Sequence, residues 1–317
     1  MINWGLPIWL YLWMAGMAGG AYFTAFLYER FAREPNKRLL RLATYLGIPL
    51  AGIGVTILLL DLGSPFRFWH LIVRVKLISP MSMGTWILVA WMSIAIAMVV
   101  FWWVEPRLKK DKVVSILKPA ILALGWVELM LSALLISYTG VLLSVSSQPL
   151  WAATFLLPPL FVVSAISTGS AILMITALVA NAIHSRGTLK LKRAMNQLFG
   201  TTDWTVSNRV VGRLAEADAI VILIELLVLI GYAFWLSAST TAGAGEAIKL
   251  LTAGALAVPF WIGIVLIALL FPLGLEAVNW GKEITTKAVW QIVIASATCV
   301  VLGGLIVRAV VVMGAQL

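Results

Sequence analysis

Charge is scarce in this chain. Only 11% of its 317 residues are Asp, Glu, Lys or Arg, and 62% are hydrophobic, whereas a soluble domain carries about 25% charged residues. That scarcity excludes a water-soluble globular module and predicts a polytopic membrane protein. Cysteine is rarer still. Cys299 stands alone, which excludes an internal disulfide and a thiolate-held iron–sulfur cluster, since such a cluster takes about four ligands. Its apolar surroundings suit a small core residue. Acids are also few: 13 Asp and Glu face 23 Lys and Arg. A basic excess can signal nucleic acid, but that requires a basic face on a soluble module, and the sequence has none. The surplus fits membrane topology instead. The N-terminus lacks a basic leader, and its first apolar run is too long for a signal-peptide core, so no cleavable signal peptide is expected.

What is abundant is apolar sequence in long runs. A spanning helix needs roughly 20 apolar residues. Eight stretches qualify, at about 6–30, 42–62, 83–104, 119–144, 154–183, 214–237, 248–273 and 288–313. The expectation is a single all-α membrane domain over 1–317. Basic residues alternate between its loops. Connections 1–2, 3–4, 5–6 and 7–8, with their helix ends, hold 18 Lys and Arg; the other side holds five, Arg67, Arg74, Lys76, Lys249 and Arg308. The positive-inside rule then places both termini on the outer side, in a prokaryotic cell membrane. Trp4, Trp9, Trp69, Trp86, Trp102, Trp103, Trp151, Trp204, Trp235 and Trp280 fall near the expected helix ends, as an interfacial belt would. The small-residue runs AGMAGGAY (15–22) and SAISTGSA (164–171) read as packing faces. Segment 184–213 is basic, with Leu189, Leu191, Met195, Leu198 and Phe199 interleaved, the pattern of an amphipathic surface helix.

Against this background the polar residues stand out. Ionisable groups inside spans are costly and default to functional candidates. Glu128 and Glu225 fall near mid-span, with Asp218 two turns before Glu225 on the same helical face. They read as proton-transfer groups, or structurally as neutral or paired acids. Glu276 ends the seventh span. The stretch from Leu59 to Trp86 is the one polar, proline-punctuated loop on the outer side, carrying Asp61, Arg67, His70, Arg74 and Lys76. His70 and His184 are the only histidines. The topology puts them on opposite faces, about 30 Å apart, so a bis-histidine haem is excluded. Any electron transfer through this protein then uses something else, such as a diffusible, lipid-soluble carrier.

Five pieces appear in a familiar order: AGMAGGAY (15–22), LDLGSPFRFWH (60–70), SPMSMGTW (79–86), YTGVLLS (138–144) with QPLW (148–151), and LPPLFVVSAISTG (157–169). Together they resemble the NrfD/PsrC family, the membrane subunits of polysulfide reductase and related molybdopterin–iron–sulfur complexes. The likeness runs through the first half; the second half matches mainly in hydropathy. The resemblance implies an eight-helix subunit that binds a quinone, of the menaquinone type, near the outer face, with no haem and no metal. It implies an iron–sulfur (ferredoxin-like) subunit docked outside, wired to a molybdopterin catalytic subunit. By the family's Tyr-x-Gly motif, Tyr138 contacts the quinone. Where the family has asparagine and histidine on the first helix, this sequence has Pro7 and Tyr11. Tyr11 still supplies a hydrogen-bond donor, Pro7 does not, and Asn3 or Trp9 is the nearest substitute.

A quinone takes up two electrons and two protons, so its site needs an apolar slot, donors to both carbonyls and proton exchange. Tyr11 and Tyr138, with Trp9 beside them and Asp61 or His70 for the protons, are placed to supply these at the outer ends of their helices; the alternatives are interfacial anchors for the two tyrosines, a cap of the following turn for Asp61 and an interface residue for His70. Arg67, Arg74 and Lys76 suit the docking surface. The reading is a quinone-reactive membrane anchor of a respiratory oxidoreductase. The alternatives are a proton-coupled secondary transporter, which commonly shows inverted repeats and broken helices at the midplane, neither of them clear in this sequence, and a purely structural anchor.

Overall fold

The computed structural model describes residues 4–32, 36–61, 73, 79–105, 111–145, 148–152, 154–199, 204–241, 243–281 and 287–316. All regular structure among them is helical: α1 (Leu6–Phe31), α2 (Lys37–Asp61), α3 (Pro80–Val104), α4 (Asp111–Ser144), α5 (Leu157–Arg186), α6 (Leu189–Phe199), α7 (Asn208–Ala238), α8 (Ala244–Thr252), α9 (Pro259–Val278) and α10 (Lys287–Gly314). A single turn at Pro149–Ala152 precedes α5. Eight of these are long and apolar enough to cross a membrane. In lipid every backbone polar group must be satisfied internally, which leaves the helix as the natural spanning form for such runs. Proline in the first turn starts α1, α3, α5 and α9, where its missing N–H costs nothing and its φ is already helical. Ser207 caps α7, its hydroxyl accepting from the Arg209 amide at 3.3 Å.

The spans form two four-helix groups. In the first, α1 packs on α2 and α4, and α3 fills in between; in the second, α5 packs on α7 and α10, and α9 on α10. The groups join where α1 lies on α5. These two are the most buried spans, and their small-residue runs are what lets them meet. A Cβ on Gly20 would overlap the Ala165 carbonyl, and one on Gly169 would overlap the Gly20 backbone. Both packing faces read from the sequence are therefore halves of one contact. The two termini meet on the same face of the bundle: the Gln316 amide accepts from Trp4 N at 2.9 Å and donates to Trp4 O at 3.0 Å.

Three expectations need correction. The seventh span does not run over 248–273. Residues up to Thr252 form the short amphipathic α8, whose Glu246 is exposed. A break at 253–256 follows, helix resumes at 257, and the span itself is Pro259–Val278, with a π-helical first part. Gly254 lies in the break, folded back so closely on α8 that a Cβ there would come 2.8 Å from Leu250 Cα, and Pro259 stands in the first turn of the span, where its missing N–H costs nothing. Arg308 is no interfacial charge: it is fully buried within α10, so the basic asymmetry of the loops is steeper than the count suggested. The tryptophans also divide. Trp86, Trp103, Trp235 and Trp280 are exposed at helix ends, whereas Trp102, Trp151 and Trp204 are buried. Trp151 Nε1 donates to Val311 O at 2.7 Å and Trp204 Nε1 to Asn196 Oδ1 at 2.8 Å, so these two staple segments together. The amphipathic surface helix corresponds to α6. One end of it is tied to protein: Phe199 is buried against Tyr45 and Trp204, and Tyr45 donates to Leu198 O at 2.8 Å.

Candidate functional site

Two phenols lie at the end of the first group that carries the termini. Tyr11 lies in the second turn of α1 and is buried; Tyr138 lies near the C-terminal end of α4 and is half-buried. They are within electrostatic range of each other. Glycines make the arrangement possible. Gly54 of α2 lies against Tyr11, where a Cβ would come 3.4 Å from its ring. Gly84 of α3 lies directly under the Tyr138 ring, which any Cβ there would overlap. Gly140, two residues past Tyr138, packs on Pro158 of α5 in the same manner. The SPMSMGTW, YTG and LPPL pieces are thus one packed unit that fixes the Tyr138 phenol. Trp9 is partly buried beside this core. Asp61 is the last residue of α2, at the same end and exposed, and no described contact joins it to either phenol. His70, Arg67, Arg74 and Lys76 lie outside the described residues.

A second polar constellation occupies the interior of the other group. Arg308 donates through Nη1 to Ser164 Oγ at 3.2 Å and to Gly304 O at 2.8 Å, and its guanidinium stands over the Phe161 ring, 5.5 Å from the centroid. Gly16 of α1 makes room for it, since a Cβ there would come 2.8 Å from Nη2. Glu225 faces Arg308 and Ser164 from α7. Asp218, fully buried, stands beside Ser167 and within electrostatic range of Glu225 and Glu276. Glu276 Oε1 accepts from Ser296 Oγ at 2.8 Å. These groups form a line through the second half of the protein from Glu276 to Arg308. Several of its atoms, both Asp218 oxygens and Arg308 Nε and Nη2 among them, have no hydrogen-bond partner among the described residues. Unsatisfied buried polar atoms are rare and ask for an explanation.

Glu128 does not join this line. It is fully buried in α4, in the first group, near Tyr22, and neither of its oxygens has a partner among the described residues. The three acids read together from the sequence therefore belong to two separate places. Arg308 was missed as an interior group; an arginine inside the run VLGGLIVRAVVV was the available signal. His184 sits edge-on to Trp204 at the basic face. Among the described residues no cluster of three His, Cys, Asp or Glu could hold a metal ion.

Comparison with known proteins places the sequence in a family. The family model described as polysulphide reductase, NrfD, matches residues 1–317. Protein NrfD of Escherichia coli is 32% identical over 201 residues, 58% of this sequence and 61% of that protein. A polysulfide reductase polypeptide of Wolinella succinogenes is 26% identical over 293 residues, 87% of this sequence and 83% of its own. A selenate reductase polypeptide of Mesobacillus selenatarsenatis is 31% identical over a shorter stretch of 71 residues, 22% of this sequence and 17% of that protein. The protein thus spans about three fifths of the NrfD relative's length.

Proposed function

Given that the protein belongs to the NrfD polysulphide reductase family, we propose that it is the quinone-reactive membrane subunit of a respiratory molybdopterin–iron–sulfur oxidoreductase in a prokaryotic cell membrane. The observation that carries this reading is that Tyr11 and Tyr138 lie within electrostatic range of each other at one end of the bundle, with Gly84 under the second phenol. Two phenols at the end of an apolar bundle are the donor set a quinone headgroup requires. When bound, the quinone, of the menaquinone type, supplies two-electron, two-proton redox chemistry. Tyr138 and Tyr11 hold its carbonyls, and Trp9 closes the apolar wall. Asp61, exposed at the same end, exchanges protons with water; His70 is the other candidate for this role. Electrons pass to an iron–sulfur subunit docked on that face through Arg67, Arg74 and Lys76, and onward to the molybdopterin subunit. The acids Glu276, Asp218 and Glu225 carry protons through the second half of the bundle beside the fixed charge of Arg308, and Glu128 exchanges them in the first.

Tyr138→Phe tests the site. It removes one hydroxyl and leaves the ring on Gly84. Quinol-dependent reduction by the purified complex should fall at least about tenfold, the effect of one lost hydrogen bond of about 1.4 kcal/mol or more, with all subunits still bound. Full activity in Tyr138→Phe and in Asp61→Asn would place the site elsewhere. The buried acids would also suit a proton-coupled carrier. Affinity purification separates the two readings, because a carrier would come without iron–sulfur and molybdopterin subunits.

A further inference from the structure

A cavity of about 470 Å³ opens on the basic face, between the ends of α1, α2, α3 and α4. Its rim is charged: Glu29 and Arg30 end α1, Lys37 and Arg41 begin α2, and Glu105 follows α3. Arg41 is occupied, pairing with Glu105 at 3.7 Å and standing over the Trp102 ring. Glu29 faces Lys37 and Arg41, yet its Oε2 is buried with no hydrogen-bond partner among the described residues. The floor is formed by Phe26, Met98 and Gly125.

The floor leads inward. The Tyr22 hydroxyl reaches two of these residues, Gly125 O at 3.4 Å and Met98 Sδ at 3.6 Å. The bond to the carbonyl is long and the thioether is a weak acceptor, so such a hydroxyl reorients at little cost. Tyr22 stacks on Phe26 and lies within electrostatic range of both Glu29 and Glu128. Glu128 is one turn beyond Gly125 on α4, with no exposure and no partner for either oxygen among the described residues. A carboxyl buried in that way in a spanning helix is expensive unless a function keeps it. The cavity has room for several waters at about 30 Å³ each, and water is the natural link between its rim and the phenol.

We propose that this cavity is the aqueous mouth of a dead-ended proton site: protons enter from the basic face past Glu29, cross at the Tyr22 hydroxyl, and are held on Glu128. The route is separate from the line through Asp218, Glu225 and Arg308, so the protein has two proton entries, one in each half. This rests on the reading of Glu128 as a proton-exchanging group, and it is independent of any quinone.

The test is hydrogen–deuterium exchange at the Glu128 carboxyl, followed by infrared spectroscopy on the full-length protein in its purified complex after transfer to deuterated buffer. The carboxyl band is assigned by its loss in Glu128→Gln. The expected result is a readily exchanging band that slows at least about tenfold in Glu29→Gln. It should slow equally in Leu122→Cys, placed on the cavity wall in a Cys299→Ser background, once a bulky cationic thiol reagent is attached. The unmodified Leu122→Cys protein is its own folding control and should exchange at the wild-type rate. Wild-type exchange in Glu29→Gln or in the plugged cysteine variant overturns the route, and so does the lack of any carboxyl band lost in Glu128→Gln. The assay contains no quinone, so its failure leaves the Tyr138 reading intact, and loss of that reading leaves the exchange rates unchanged.

Discussion

Arg308 and Tyr138 show how much of this protein turns on single side chains held by glycine. Arg308 is wholly buried, two of its nitrogens are without partners among the described residues, and Glu225 is the carboxylate that faces it. Removing one member of such a buried charged set strands the other. Arg308→Met should therefore lower stability by about 3–5 kcal/mol, and the double variant with Glu225→Gln should recover at least half of that loss. Thermal unfolding in detergent would measure both, and a strictly additive pair would mean the two groups do not interact. At Gly84 the effect is steric. Gly84→Ala puts a methyl where the Tyr138 ring lies. The ring must move, at a cost of about 1–3 kcal/mol, and quinol-dependent turnover should fall about as far as in Tyr138→Phe. Gly52 is the control, since nothing lies within 4 Å of a Cβ there. Gly52→Ala should be neutral or gain up to about 1 kcal/mol from helix propensity.

Among the helices, the decisive contact is α1 on α5. Gly20 and Gly169 bring two backbones to a distance that admits no side chain, and in lipid such close packing replaces the hydrophobic effect as the force between helices. Gly20→Leu should prevent the two groups from joining. The expected readout is loss of the monodisperse peak in size-exclusion chromatography, while Gly52→Ala keeps it. This contact was legible in part. AGMAGGAY and SAISTGSA announce packing faces, because runs of small residues have few other uses in a spanning helix. Nothing in either run says that its partner is the other one. The eight spans were legible for a simpler reason: about 20 consecutive apolar residues have one stable form in lipid. The seventh span was misplaced because hydropathy cannot separate apolar residues of a surface helix from those of a span. Leu250 and Leu251 belong to α8, and only the break at 253–256, around Gly254, marks the boundary. Arg308 was misread for the converse reason, since a charge near a helix end looks interfacial until the packing around it is known.

For the molecule as a whole, the site at the phenols and the cavity at the charged rim lie at opposite ends of the first four-helix group. On the functions proposed above, proton entry to Glu128 and quinone chemistry would be spatially separate tasks. The placement of Tyr11 and Tyr138 at one end was legible from helix direction alone, whereas the link from Glu29 through Tyr22 to Glu128 depends on neighbours from α1, α3 and α4 that no local pattern reveals. The bonds between Trp4 and Gln316 join positions 312 residues apart. Reporter domains appended to either end of the protein should accordingly report the same side of the membrane; opposite sides would refute the even number of crossings. The same clasp sets a clock for biosynthesis. On the α1 surface, Gly16 is reserved for Arg308, and α1 enters the bilayer long before α10 exists. That surface must wait, facing lipid or an insertion factor, until almost the entire protein has been made. Contacts of such long range form late, so ribosome-stalled nascent proteins that stop short of α10 should leave the Gly16 face open to crosslinking, and the completed protein should close it.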